Sequence, residues 1–159
     1  MNSQSATPAL QSEFACLLKV TVNAPVVVGD SSHGLRRMVP ITGGTIEGPK
    51  IKGRVMAGGA DWQLLRPDGV LQLQANYLFE TRDGVSIMIS NRGLRHASAA
   101  VTRKLTRGEA VSPHRCYFRT MAEFEASSDS RYAWLNSALF VGVAQRAPSV
   151  VTVRMYRIK

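Results

Sequence analysis

The stretch "LQLQANYLFETRDGVSIMIS", residues 71–90, decides the fold class. Apolar residues alternate with mostly polar ones in its first half, and the alternation returns from Val85 to Ser90. A period of two is typical of β-strands, whose side chains point alternately to the two sides of a sheet. Asp83 and Gly84 lie between the two halves, and Asp-Gly is a strong signal for a tight reversal of the chain. We therefore predict an antiparallel β-hairpin over this stretch.

The flanking sequence extends this hairpin into a larger sheet. "RPDGV", residues 66–70, predicts a turn before the first strand, and "SVVTVRMYRIK", residues 149–159, repeats the strand alternation. The glycines of "ITGGTIEGPKIKG", residues 41–53, are typical of bends and barrel corners. "ASAAVTRKLTRG", residues 97–108, predicts a short helix that ends at Gly108. "SSDSRYAWLN", residues 127–136, predicts either one helical turn or a loop that carries aromatic residues.

These signals predict an all-β fold, a single antiparallel β-barrel of about 8–10 strands with one short helix at about residues 97–107. No internal repeat or linker divides the chain. We expect residues 13–159 to form a single β-barrel domain, preceded by a flexible N-terminal arm at residues 1–12. A chain of 159 residues can bury a core large enough to fold without disulfides or metal ions.

The composition argues against several classes of protein. No run approaches the ~20 apolar residues that span a bilayer, and the first residues do not resemble a signal peptide, so we expect a cytoplasmic protein with no membrane association. Cys16 and Cys116 cannot form a disulfide framework, and we interpret both as structural thiols rather than nucleophiles. His33, His96 and His114 lie far apart without metal-ligand spacing. We expect no metal and no cofactor.

The formal net charge of +9 permits nucleic-acid binding but does not require it. Between Arg92 and Arg107 the chain carries five basic residues and no acidic residue. This segment is interpreted either as a solvated helix face with its loop or as a nucleic-acid contact. Single-strand binding surfaces place aromatic rings among their basic residues, and this segment contains none. We therefore do not favour nucleic acid as a partner.

Polar residues on predicted strand faces form a candidate small-molecule site, because such sites are apolar pockets with a few converging polar groups. The predicted catalytic residues are Asp61 and Arg119, and the predicted ligand-binding residues are Trp62, Gln63, Tyr77, Asn91, Trp134 and Asn136.

Several of these residues have structural interpretations as well. Asp61 could close a turn after Gly58 and Gly59, and Trp62 could be a core residue. Arg119 could pair with a glutamate further along its own strand, at position 123 or 125, and Asn136 could cap a turn.

Four segments together resemble a bacterial and fungal family known as domain of unknown function 3237. They are "HGLRRMVPITGGTIEGPKIKGRVMAGGADWQLLRPDGV", "YLFETRDGVSIMISNRGLRH", "YFRTMAEFEASSDSRYAWLNSALFVGVAQR" and "VVTVRMYRI", and they cover roughly residues 13–158. The family is similar to β-barrels of the allene-oxide-cyclase and dirigent type. The resemblance implies an apolar cavity, cyclisation or coupling of hydrophobic molecules, often without a cofactor, and a homo-oligomer, dimeric or larger. Its motifs include Gly44, Gly48, Gly59, Asp61, Trp62, Arg119, Tyr132, Trp134 and Asn136.

The leading hypothesis is a barrel that binds a small apolar or carbonyl-bearing metabolite and acts as a cofactor-independent isomerase, cyclase or lactone hydrolase. Asp61 would be the general acid or base, and Arg119 would hold a carboxylate or stabilise an enolate oxygen. Tyr77, Asn91 and Asn136 would orient the ligand, and Trp134 would form an apolar wall. The alternative is a non-catalytic ligand-binding or oligomeric scaffold barrel. A shared fold does not choose between the two.

Overall fold

A computed structural model describes residues 7–159. In that range the chain forms ten β-strands, one α-helix and two short 3₁₀ segments, at Pro113–Arg115 and Ala133–Ser137. The elements are β1 Ser12–Val22, β2 Val26–Ser31, β3 Gly34–Glu47, β4 Lys52–Val55, β5 Ala60–Leu65, β6 Leu71–Thr81, β7 Ser86–Ala97, α1 Ala99–Thr106, β8 Cys116–Glu125, β9 Phe140–Arg146 and β10 Val150–Ile158. Residues 1–6, half of the predicted N-terminal arm, lie outside the described residues.

The strands form a closed antiparallel barrel, which confirms the predicted fold class. Each strand from β6 to β10 pairs with the next along the chain, and β1 closes the ring by pairing with both β10 and β3. β4 and β5 together occupy one strand position of the barrel wall, because they lie end to end and both pair with β3 and β6. β2 pairs with the first half of β3. The barrel therefore has eight strand positions and two additional strands among the described residues.

The hairpin predicted from residues 71–90 is present as β6 and β7. Its register places Tyr77 opposite Ile89 and Phe79 opposite Ile87, and all four side chains are buried. At the turn, the Thr81 backbone N–H donates to the Val85 carbonyl at 2.9 Å. The alternation seen in the sequence thus corresponds to the inner and outer faces of the barrel wall.

The Gly43-Gly44 pair lies where β3 changes partners. Its first half pairs with β2 and β5, and its second half pairs with β1 and β4. The register with β1 shifts at this point, and both glycines have positive φ angles, +155° and +132°. A Cβ atom on Gly44 would lie 2.0 Å from the Lys19 carbonyl oxygen. Glycine is therefore required for β1 to approach β3 and close the barrel.

One end of the barrel is filled by aromatic and aliphatic side chains. The Phe124 ring lies edge-on to Phe79 and Phe140, with centroids 6.0 and 4.7 Å away, and Leu135 is completely buried beside this group. Leu135 comes from the 3₁₀ segment between β8 and β9, which covers this end. The Tyr132 hydroxyl fixes the cover by donating to Asp83 at 2.6 Å. We call this the closed end.

The helix lies at the opposite end, where β7 passes to β8. Ser98 caps α1 by accepting a hydrogen bond from the Val101 backbone at 3.3 Å, and Gly108, with a φ angle of +72°, ends the segment. These bounds confirm the predicted helix. Val101 is its one buried residue. No helix within residues 7–159 has the length and apolar character needed to cross a membrane.

Candidate functional site

A cavity of about 50 Å³ occupies the barrel interior towards the helix end, which we call the open end. This volume accommodates a few water molecules or one small functional group, so a larger ligand would extend towards the mouth. Its walls are mostly apolar, and its polar side chains come from strands β5 to β9 rather than from loops. The lining residues are Val20, Val22, Val39, Ile41, Asp61, Gln63, Leu73, Ala75, Tyr77, Asn91, Arg95, Phe118, Thr120, Arg146, Val151 and Val153.

Asp61 lies in this cavity because the alternation of β5 turns its side chain inward. One carboxylate oxygen accepts a hydrogen bond from the Gln74 backbone N–H at 3.1 Å, and the other accepts from the Gln63 amide at 2.6 Å. Burial raises the pKa of Asp61, although these two hydrogen bonds and the positive charges of Arg95 and Arg37 act in the opposite direction. A raised pKa makes this carboxylate a stronger base than a solvated aspartate, which suits a group that transfers protons.

Gln63 links Asp61 to a third side chain. The Arg37 Nε–H donates to the Gln63 amide oxygen at 2.8 Å, while the Gln63 NH₂ group donates to Asp61. Because the oxygen faces the guanidinium and the nitrogen faces the carboxylate, the amide orientation follows from its partners. This chain of hydrogen bonds holds the Asp61 carboxylate in one orientation.

Three arginine side chains gather at the open end of the cavity. Arg95 and Arg146 line it, and Arg37 lies behind Gln63. Burial, together with the positive charges of Arg146 and Arg37, lowers the pKa of Arg95 to about 10, against the opposing effects of Cys116 and Asp61. The site thus contains more positive than negative charge.

Two buried polar atoms in the cavity wall have no hydrogen-bond partner within residues 7–159. They are Oδ1 of Asn91 and Oγ1 of Thr120, whose residues are only 7% and 6% exposed. A buried polar group without a partner costs about 1–3 kcal/mol. Tyr77 is also buried in the wall, and burial raises the pKa of its phenol. These groups supply polar contacts for a ligand in the cavity.

The structure brings together Asp61, Gln63, Tyr77 and Asn91 from the predicted site. It does not place Trp134 and Asn136 with them, since both belong to the closed end. The Trp134 ring packs beside Phe140 at 6.2 Å, and the Asn136 side chain makes two hydrogen bonds to the backbone of Ala126, at 2.8 and 2.9 Å. Asn136 therefore holds the cover of the closed end in place. This agrees with the structural interpretation from the sequence, in which Asn136 caps a turn.

Arg119 and Trp62 lie on the outer surface, away from the cavity. Trp62 is 48% exposed, and the Arg119 guanidinium lies over the ring of Tyr117 at 5.3 Å. Arg119 and Tyr117 lie two residues apart and therefore share one face of β8. That face points outward because the opposite face carries the buried Phe118 and Thr120.

The inward arginines were missed from the sequence, although the alternation contained the signal. Arg95 follows Ile87, Ile89 and Asn91 on the inner face of β7, and Arg37 shares the inner face of β3 with Val39. In the sequence, Arg95 belongs to the basic segment between Arg92 and Arg107, which is interpreted as a helix face with its loop or as a nucleic-acid contact. Continuing the β6–β7 alternation beyond Asn91 would have placed it inside.

Residues 10–158 match the family described as protein of unknown function DUF3237. The chain belongs to this family. It is 37% identical to a UPF0311 protein of Rhodopseudomonas palustris, over 96% of this chain and 99% of that protein. The crystal structure of the Rhodopseudomonas protein superposes with a TM-score of 0.89. A β-barrel-like protein from Acinetobacter baumannii, 39% identical, superposes with a TM-score of 0.85 over 98% of this chain and all of that one.

A more distant relative is described as an enzyme. The hydroalkoxylation enzyme of Penicillium herquei is 25% identical over all 159 residues, which correspond to 89% of that protein. In this DUF3237 chain no group of three or more His, Cys, Asp or Glu side chains within residues 7–159 is arranged to hold a metal ion.

Proposed function

We propose that this DUF3237 protein is an enzyme that transfers a proton on a small, carbonyl-bearing substrate held in the barrel cavity. The observation that carries the proposal is the Asp61 carboxyl group, which lies in a largely apolar cavity, has a raised pKa and is oriented by Gln63. Such an arrangement is typical of a general acid or base. The chemistry needs no cofactor.

The Penicillium relative favours a cyclase or isomerase over a lactone hydrolase. In a hydroalkoxylation, a hydroxyl group adds across a carbon–carbon double bond. A C–O bond forms at one carbon of the double bond, which becomes a single bond. The O–H bond breaks, and a C–H bond forms at the other carbon. Asp61 would accept the hydroxyl proton and return a proton to that carbon. The reaction is balanced without an oxidant or reductant.

Arg95 is better placed than Arg119 to stabilise charge in this reaction. If the double bond is conjugated to a carbonyl group, addition develops negative charge on the carbonyl oxygen. Arg95 faces the cavity and Arg119 does not. A preorganised cation beside a developing oxyanion lowers the barrier more in an apolar site than in water.

A non-catalytic binding barrel is the second candidate, and the small volume of the cavity favours it. The two candidates differ in whether Asp61 is needed for turnover or only lines a binding site.

The proposal is tested with the cyclisation of 2′-hydroxychalcone to flavanone. The rate is measured as the loss of the enone absorbance. In D₂O the enzyme should place one deuterium stereoselectively beside the carbonyl. We expect Asp61→Asn to lower the rate at least about 100-fold with a nearly unchanged Tm. Gln74→Leu is the control, because the Gln74 side chain contacts Asn76 and Ser90 rather than Asp61. An undiminished rate in Asp61→Asn, or no acceleration of a panel of hydroxy-enones by the wild type, would contradict the proposal.

A further inference from the structure

The cavity contains positive charge that its own residues do not neutralise. Arg37, Arg95 and Arg146 contribute three guanidinium groups, and Asp61 contributes one carboxylate. Within residues 7–159, none of these arginines has a carboxylate oxygen within 4.0 Å. Buried charge without a counterion is costly, and proteins usually pair it. An anionic ligand would complete the pairing.

The strands place the arginines and Asp61 at different depths. Along β7, Arg95 lies four residues beyond Asn91, which corresponds to about 13 Å of strand. Asp61 and Asn91 lie at the same level, on either side of Ala75 in β6. The open end is therefore cationic, and the interior carries the carboxyl group and the amide.

Apolar side chains line the space between these two levels. Val39, Leu73, Phe118 and Val151 all contribute to the wall, and the Arg95 guanidinium lies 5.7 Å from the centre of the Phe118 ring. This wall suits a flat, unsaturated body better than a hydrated inorganic ion. Guanidinium groups bind carboxylates especially well, because two N–H donors match two oxygens.

We propose that the ligand of this cavity is an unsaturated carboxylate, whose anionic group binds Arg95 and Arg146 at the open end while one unsaturated end of its apolar body enters the cavity towards Asp61. The inference rests on the proposed function, because it names the substrate class of the same site. The carboxylate serves as an anchor, and the reacting double bond lies deeper, beside Asp61 and Asn91. The conjugated carbonyl oxygen lies between the carboxylate and the double bond, where the five N–H donors of Arg95 can serve both oxygen-bearing groups. Arg37 contributes positive charge from behind Gln63.

Calorimetric titration with trans-cinnamate and with its neutral amide, cinnamamide, tests this assignment. The wild type should bind the acid at least about tenfold more tightly than the amide. Arg95→Met and Arg146→Met keep an unbranched apolar stem and remove the guanidinium charge, and each should abolish the preference. Arg119→Met is the matched control, since it removes a guanidinium from the outer face of the adjacent strand.

Thermal melting separates a binding role of Arg95 from a structural one. Because Arg95→Met removes a partly buried charge that has no carboxylate partner within residues 7–159, the free variant should melt at or above the wild-type temperature. Cinnamate should raise the Tm of the wild type but not that of the variant. A lowered Tm in the variant together with an intact preference for the acid would overturn the assignment.

Three further outcomes would also overturn it. They are equal binding of acid and amide by the wild type, no binding of either, and displacement of cinnamate by inorganic phosphate at the same concentration. The last would show a general anion site. Asp61→Asn should keep the preference for the acid even when turnover is lost. Selective binding without turnover would therefore refute only the proposed function, whereas turnover of neutral substrates alone would refute only the carboxylate anchor.

Discussion

At the scale of single residues, the Asp61 carboxyl group is subject to opposing influences. Burial favours its neutral form, while hydrogen bonds from Gln63 and Gln74 and the charge of nearby arginines favour the ionised form. Burial dominates, so the pKa lies above its ordinary value of 3.8. The shift moves the carboxyl group towards the range in which it can both accept and return a proton.

This raised pKa predicts the direction of a pH effect on stability. A carboxyl group with a higher pKa in the folded state binds protons more tightly when folded, so its contribution is fully present below the unfolded pKa and is lost as the pH rises through the folded value. The wild-type Tm minus the Tm of Asp61→Asn should therefore become larger as the pH is lowered from 7 to 4. Differential scanning fluorimetry measures this difference, and a difference that stays constant or falls over this range would contradict the raised pKa.

At the scale of elements, the inward or outward direction of each strand decides which residues can act together. The alternation of residues 71–90 predicted β6 and β7 and the buried positions of Tyr77 and Phe79. It did not say which face of β8 points inward, because Tyr117 and Met121 are as apolar in pattern as Phe118. Their exposure depends on the barrel as a whole, and Arg119 was misplaced for that reason.

The position of Trp134 and Asn136 could not be read from the sequence for a different reason. Both lie in a segment without strand periodicity, so no pattern indicates which end of the barrel it covers. The sequence placed Asp61 and Gln63 on one face of β5, but it did not show whether that face points into the barrel.

The cover of the closed end gives a prediction that separates structure from chemistry. Asn136→Ala removes both hydrogen bonds to Ala126 and should lower the free energy of unfolding by about 1–2 kcal/mol. The folded variant should keep the wild-type rate on 2′-hydroxychalcone, because the cavity lies at the other end. Urea denaturation with Ser137→Ala as the control measures the loss. If the Asn136→Ala protein is as stable as the wild type but inactive, Asn136 has a role in catalysis and the structural interpretation is wrong.

At the scale of the whole molecule, closure of the barrel depends on close contact between β1 and β3. Gly44→Ala would force a Cβ atom against the Lys19 carbonyl oxygen, whereas Gly58→Ala, also at positive φ, would meet nothing within 4 Å. Both variants carry about 1–2 kcal/mol of backbone strain. Gly44→Ala should cost several kcal/mol more in urea denaturation. Equal losses for the two variants would show that closure does not depend on this contact.

The expected homo-oligomer stays a prediction at this scale. It rests on the resemblance of the sequence to oligomeric barrels, and light scattering coupled to gel filtration would measure it.

The packed closed end and the polar open end divide the barrel into two parts with different tolerance for change. Aromatic packing around Phe124 supplies stability far from Asp61 and Arg95. Mutations that alter selectivity can therefore accumulate at the open end with little penalty in folding. This separation makes the barrel a suitable starting point for directed evolution, with libraries confined to the inward positions of β3, β5, β7 and β9 nearest the mouth.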